Sequence, residues 1–460
     1  MTLSSKKRSP RFRFRDKLRF VPTPRLAVWL AAGAPVTAGV YAVEPSVGAV
    51  VFWAWNGVLA VFSALDLLTL PPLSALSAER EAPDQVDLGR PFPVKVTVRI
   101  AGDRLPRGWR IEDDLPATFV PEPSYLPTSS AVAGGTAAIT VPYAVRPKER
   151  GRYTLSTVFV RLLGSYGLWQ RQAHLPCEQD IRVLPDLSGV RGMLASMQRS
   201  LILDGKRVYR RSMTGTDFQG IREYTPDDDS RAINWSATAR TLSTKVNLYQ
   251  PERGKIVTLL IDCGRLMGVE LEGQTKLDRS LEAALTLAAV ALQRGDQVAA
   301  LTFSGRLTSY VPPGKGMAHL QTIIDAVYDV KSDAAESNYA QALSHIARVQ
   351  KKRSLLVLFT DMENALFESE LAPYLIRLRR SHPVLMLTLQ DPVLDEWSRI
   401  KVERVKDAYV RSTAYKFMED RRQFSAKMAS LGIEALDVPA NELALAAVNT
   451  YLEMKARDAL

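Results

Sequence analysis

Cysteine and histidine are scarce in this sequence. Two cysteines, Cys177 and Cys263, in 460 residues cannot build a disulfide framework and form no Cys-x-x-Cys pair, so reducing surroundings are expected. The four histidines, His174, His319, His345 and His382, are far apart. None has the His-x-x-x-His or His-Glu-x-x-His spacing that seats zinc on one helix face. Phosphate-binding loops are missing too. Gly314-Lys315-Gly316 is not a P-loop, and neither Gly-x-Gly-x-x-Gly nor Gly-x-Ser-x-Gly occurs. These absences weigh against metal, nucleotide and acyl-transfer chemistry.

Charge is present but unevenly placed. Of a net charge of +11, eight units fall in residues 1–25, where nine Lys/Arg face one acid, Asp16. The excess is a basic arm, not a basic domain, and no nucleic-acid partner is expected. Immediately after it, Leu26 to Val43 and Val47 to Leu65 run 18 and 19 residues without a charge, separated by Glu44, Pro45 and Ser46. Each run, as a helix, reaches about 27–28 Å, close to the hydrocarbon thickness of a bilayer. A cleaved signal peptide has one such run, so two in succession predict a retained hairpin over 26–65. The arm keeps its side cytoplasmic, and an even number of crossings returns the chain there. Both termini and the soluble domains are therefore expected in the cytosol beneath a bacterial inner membrane. The arm itself is expected to contact anionic lipid.

Between 80 and 185 the patterning has period two. Phe92–Ile100, Ala137–Val145, Tyr153–Leu162 and Ile181–Leu184 alternate apolar and polar positions, with Pro and Gly between them. That pattern predicts an antiparallel β-sandwich. From about 255 to 460, strands alternate with helices: Ile256–Ile261, Gln297–Ser304, Ser354–Thr360, Val384–Leu389 and Ile433–Val438 against helices over 277–293, 319–330, 339–349, 371–380 and from Glu442. This is the signature of a doubly wound α/β domain. Asp262 and Asp361 each stand one residue past an apolar strand, and such a sheet brings both to one crevice.

Gly215–Arg240, inside a segment spanning 195–250, reads Gly-Thr-Asp-Phe-Gln-Gly-Ile-Arg-Glu-Tyr-Thr-Pro-Asp-Asp-Asp-Ser-Arg-Ala-Ile-Asn-Trp-Ser-Ala-Thr-Ala-Arg. It resembles the signature of the bacterial family called domain of unknown function 58. The α/β region resembles a von Willebrand factor type A domain, in which an Asp-x-Ser-x-Ser loop, a Thr and a later Asp bind a divalent cation. The resemblance implies a multidomain, membrane-attached protein that works with AAA+ ATPases of the MoxR group and other membrane proteins. It also places a metal at Asp262 and Asp361. Here the sequence departs, because Gly264 and Leu266 stand where the two Ser hydroxyls belong. Ser337 or Asn338 would have to supply the Thr oxygen. Magnesium needs six hard oxygens, so at most a weakly held ion is expected and no cofactor is assigned.

The signature's Arg222, Tyr224, Asp227, Asp228, Arg231, Trp235 and Arg240 are expected to form a structural clamp or partner surface. In it the arginines fork onto carboxylates and Trp235 anchors the packing. The resulting expectation is a non-enzymatic, membrane-anchored adaptor. The competing one is a metal-dependent hydrolase using Asp227 to Asp229 or the Asp262/Asp361 pair.

Overall fold

A computed structural model describes residues 19–102, 105–122, 129–133, 136–190, 192, 217–226, 228–250, 254–271, 273–361 and 367–457. Residues 1–18 of the basic arm lie outside the described residues, as does Asp227. The chain divides into two compact units, Met1–Leu184 and Pro185–Leu460.

The first unit opens with a short strand β1 (Phe20–Pro22) and two helices, α1 (Pro24–Val43) and α2 (Pro45–Thr69). Both helices begin at a proline, whose fixed φ suits the first turn. Both are long and apolar enough to cross a membrane. Their large apolar side chains face outward: Val43, Val50, Trp53 and Leu68 are all well exposed. A helix inside a soluble core would bury these groups, so the pair is consistent with membrane anchoring.

Strands β2 (Leu76–Glu81), β3 (Gln85–Asp87), β4 (Phe92–Ala101), β5 (Gly108–Asp113), β6 (Phe119–Glu122), β7 (Ser129–Ala133), β8 (Thr136–Pro147), β9 (Gly151–Leu163) and β10 (Trp169–Leu184) follow. They form two sheets. One runs β1-β10-β9-β5 with β3 alongside β10; the other runs β2-β4-β8-β6 with β7 on β8. All pairings are antiparallel except β3 with β10. In β4, Phe92, Val94, Val96, Val98 and Ile100 point into a core shared with Leu155, Val158, Val160 and Leu162 of β9. A charged pair inside this core is neutralised in place. Arg80 Nε meets Asp113 at 2.8 Å, and the Tyr143 hydroxyl donates to the same carboxylate. Burial, with Asp113 beside it, drives the Tyr143 phenol upward.

Asp66 ties α2 to this unit. Its carboxylate is wholly buried and accepts the backbone N–H groups of Tyr166, Leu168 and Trp169, each at 2.7 Å. Gly164 permits the approach, because a Cβ there would stand 2.4 Å from Asp66 Oδ1. Thr23, just before α1, donates its hydroxyl to Gly167 O at 2.7 Å. The β9–β10 turn is thereby bolted to the ends of both helices.

The second unit contains a hairpin, β11 (Asp217–Glu223) with β12 (Lys245–Gln250), enclosing the short helix α3 (Trp235–Thr241). Then come β13 (Ile256–Asp262), the small pair β14 (Glu270–Leu271) and β15 (Gln274–Thr275), α4 (Lys276–Gln293), β16 (Gln297–Phe303), β17 (Leu307–Gly314), α5 (Met317–Val327) and α6 (Tyr339–Val349). The remainder is β18 (Ser354–Phe359), α7 (Phe367–Arg379), β19 (Val384–Leu389), α8 (Pro392–Ser398), α9 (Val405–Ser430), β20 (Glu434–Val438) and α10 (Leu443–Ala456).

The main sheet has the order β17-β16-β13-β18-β19-β20, parallel throughout except for β17 at one edge. Every residue of β13, β18 and β19 is buried, so helices cover both faces, as a parallel sheet requires. α6, α7 and α9 pack on the face bearing Leu260, Leu301, Leu358 and Met386. The chain leaves β13 toward β16 on one side and later returns to β18 on the other. Strand ends at such a reversal open a crevice.

Candidate functional site

Asp262 ends β13, and Asp361 lies two residues past β18, so the reversal places both at the crevice floor. Both are buried, at 2% and 1% exposure, not surface acids at strand–helix junctions. Four donors surround Asp262. Oδ1 accepts Gly264 N–H at 2.8 Å and the Ser337 hydroxyl; Oδ2 accepts the Tyr339 hydroxyl at 2.5 Å and that of Thr360 at 2.7 Å. Burial, and then the neighbouring Asp262 charge, holds the Tyr339 phenol well above its ordinary range. Tyr339 is therefore a fixed donor, not an acid.

Gly264 is explained by Ser337. A Cβ at position 264 would lie 2.0 Å from Ser337 Oγ. The hydroxyl missing from the loop after β13 is thus supplied from the loop before α6, in the space a side chain at 264 would take. Cys263 between them is buried, with Sγ 3.6 Å from Ile261 O.

Asp361 has two cationic partners. Lys276 Nζ stands 2.5 Å from Oδ2, and Arg421 Nη1 3.3 Å from Oδ1. Lys276 opens α4, after the Thr275–Asp278 capping box has fixed that helix start. Its side chain and that of Asp361 are both wholly buried. Arg421, on α9, is itself held by Asp437 at 2.7 Å and by Leu389 O at 2.6 Å. Burial works against the Arg421 charge, and Asp437 and Asp361 more than offset it.

This donor set does not fit a divalent cation. Hydrogen-bond donors occupy the lone pairs of Asp262, and two fixed cations face Asp361 where an ion would have to enter. An ammonium that close repels a second positive charge. Among the described residues, no cluster of three or more His, Cys, Asp or Glu has metal-binding geometry. Beside Arg421 and Asp437 a cleft of about 410 Å³ opens at the ends of β19 and β20, edged by Gln390, Asp391 and Asp395.

The signature segment carries its own two-stranded sheet, β11 with β12. Arg222 donates to Asp228 Oδ1, while Thr225 N–H and Oγ1 both reach Asp228 Oδ2 at 2.8 Å. The Thr225 hydrogen bonds, backbone first, hold the Asp228 carboxyl below its usual range, with Arg222 adding to them. Asp229 accepts Arg231 N–H at 2.9 Å. Tyr224 N–H bonds Thr244 O, and Asn234 caps α3 through Ala237 N–H. The clamp thus includes Arg222, Thr225, Asp228 and Asn234. Trp235 does not anchor packing: it is 70% exposed. Arg231 and Arg240 are also exposed and, among the described residues, meet no carboxylate. Nearby Leu242 stands 95% exposed at φ 56°. Helix capping by Asn234 leaves the Trp235 side chain on the outer face of α3.

No linear pattern marks Lys276, Tyr339, Thr360 or Arg421. Thr360 and Tyr339 fall within the strand and helix that the sequence predicts, but nothing in its spacing links them to Asp262. The sequence pattern does not predict α9, which carries Arg421.

Residues 220–427 match the family described as "Protein of unknown function DUF58", which bears out the resemblance drawn from the signature segment. Uncharacterized proteins of Mycobacterium tuberculosis and Mycobacterium bovis are each 24% identical to this chain over 173 residues. That stretch covers 37% of this chain and 54% of each relative, so the chain spans about half the length of the curated relatives it matches. Among solved structures, the conserved hypothetical protein BatB from Bacteroides thetaiotaomicron aligns with 44% of this chain and all of its own. Its identity is 11% and its TM-score 0.29. Proximal thread matrix protein 1 of the mussel byssus aligns with 43% of this chain and 45% of its own at 12% identity and a TM-score of 0.24.

Proposed function

We propose that this chain is a non-enzymatic, membrane-anchored adaptor whose α/β domain, similar to a von Willebrand factor type A domain, docks a protein partner from the cytoplasmic side. The observation that carries this reading is the occupancy of the crevice. Both strand-end carboxylates are engaged by internal donors, so neither is available as a general base or a metal ligand. Hydrolysis through Asp228 or Asp229 is disfavoured by the same reasoning, since both serve the turn that holds them.

The rim of the crevice remains available. Arg265 and Glu336, facing each other at 3.8 Å, are exposed on the two loops that meet over Asp262. An exposed pair of opposite charge contributes little to stability and is suited to a polar docking contact. The family resemblance supplies the partner class, an AAA+ ATPase of the MoxR group together with other membrane proteins. The basic segment before α1 favours a cytoplasmic placement of the soluble domains at the bacterial inner membrane.

The test is affinity purification from native membranes, with wild type beside the charge-exchanged Arg265→Glu/Glu336→Arg chain. A partner retained by wild type and lost from the folded variant supports the adaptor. Recovery of the wild-type chain alone contradicts it.

A further inference from the structure

The β9–β10 turn, held by Asp66 and Thr23 where the apolar helices end, is ringed by arginine. Arg25 reaches within 3.1 Å of the Cβ position of Gly167, and Arg107 donates to Ser165 O at 3.2 Å. Strand register sets Arg110 opposite Arg161 and Arg161 opposite Gln172, whose N–H bonds Arg19 O. That row crosses the outer face of the sheet three residues from Gly164, a distance of about 10 Å along the strand. This is comparable to the screening length of about 8 Å at physiological salt.

Arg19, Arg25, Arg107 and Arg110 are exposed, and Arg161 is half-buried. Glu112, the acid beside them on the outer face of β5, is taken by Arg110 at 3.1 Å. Like charges are held close here. Burial, and then Arg110, lowers the Arg161 guanidinium; burial, and then Arg19, does the same to Arg171. By the turn, Leu105 and Tyr166 stay exposed, and Tyr166 meets Phe62 of α2 edge-on at 5.5 Å. An amphipathic aromatic close to guanidinium groups matches the chemistry of a membrane–water boundary.

We infer that this rim is a headgroup-binding surface, in which phosphates of anionic phospholipid sit among Arg19, Arg25, Arg107, Arg110 and Arg161. Guanidinium suits phosphate because its fork of N–H donors engages two oxygens at once. The two-sheet unit is then pressed onto the bilayer by its own residues and not only tethered by the helices. The inference rests on the membrane-anchored reading.

The experiment places the full chain in nanodiscs of phosphatidylcholine alone or mixed with phosphatidylglycerol, and measures retained lipid by native mass spectrometry. Wild type, a chain lacking residues 2–18, and Arg107→Gln/Arg110→Gln/Arg161→Gln and Arg107→Lys/Arg110→Lys/Arg161→Lys chains are compared. Phosphatidylglycerol should be enriched around wild type and around the chain without the arm. Each basic residue near an anionic surface is worth about fivefold, so enrichment should fall tenfold or more in the Gln chain. The Lys chain should keep most of it. Equal enrichment around the Gln chain and wild type overturns the surface. So does equal hydrogen-exchange protection of 105–110 by inorganic phosphate in phosphatidylcholine discs, which would assign the site to a soluble anion. A chain that fails to enter nanodiscs overturns the anchor instead.

Discussion

The ammonium of Lys276 lies 2.5 Å from Oδ2 of Asp361, with both side chains sealed from solvent. The first residue of α4 thereby neutralises a carboxylate 85 positions later, at the mouth of the parallel sheet. Together with Arg421 it gives the crevice its own fixed cations, which an external cation would have to face there.

A buried pair is costly to halve and cheap to replace whole. Lys276→Met should therefore destabilise the second unit by about 3–5 kcal/mol by leaving Asp361 underpaired. Its calorimetric transition in detergent should fall by roughly 10 °C. Lys276→Met with Asp361→Leu should recover most of that loss. Equal losses in the single and double variants would show that the pair is not coupled.

Restoring a hydroxyl to the loop after β13 should harm the site. In Gly264→Ser the new Cβ meets Ser337 Oγ, which needs the same space. The expected cost is about 1–3 kcal/mol, and Ser337→Ala in the same chain should return most of it. Denaturant unfolding of the four chains of this cycle measures the coupling.

His382 gives the second unit a pH dependence. It is 4% exposed, its Nδ1 accepts Ser354 N–H at 3.1 Å, and burial, then Arg353, lowers its pKa. Below about pH 6.5, the ordinary histidine value, the unfolded chain takes up a proton that the folded chain resists. This contribution to stability is therefore full above that pH and is lost as pH falls toward the lower folded value. The slope is at most about 1.4 kcal/mol per pH unit, and His382→Gln should flatten it in unfolding curves at successive pH values.

Removing the Asp66 carboxylate should free the two-sheet unit from the helices. Asp66→Ala leaves three N–H groups, that of Leu168 buried and those of Tyr166 and Trp169 partly so, without their acceptor, a loss of about 3 kcal/mol. Hydrogen exchange at Tyr166, Leu168 and Trp169 should accelerate strongly. Asp66→Asn, which keeps a carbonyl acceptor, should show a smaller effect.

Much of this fold is legible where burial is complete. β13, β18 and β19 are continuous apolar runs because helices cover both their faces, and β4 alternates because one face is solvated. The two apolar helices follow from length alone. α9 does not announce itself: in 26 residues it buries only Ala414, Arg421, Phe424 and Met428, too sparse a stripe to read beside so many charges. β17 is masked by Pro312 and Pro313, which it tolerates as the edge strand of the sheet.

The site divides in the same way. Asp262 and Asp361 were readable as strand-end acids, since a parallel sheet aligns its carboxyl ends. Their partners were not. Lysine at a helix start ordinarily reads as a solvated residue, and only the packing of α4 against β13 and β16 carries Lys276 inward. Trp235 misled for the opposite reason, an aromatic residue in a charged segment that nevertheless faces outward.

Manganese binding to the detergent-solubilised chain, followed by electron paramagnetic resonance, tests the central claim most directly. With Lys276 and Arg421 already in place, added Mn²⁺ should keep the spectrum of the free hydrated ion at stoichiometric concentration. Lys276→Ala, which opens the space beside Asp361, is the comparison most able to gain an ion. One tightly held Mn²⁺ per wild-type chain, lost on Asp361→Asn, would contradict the account.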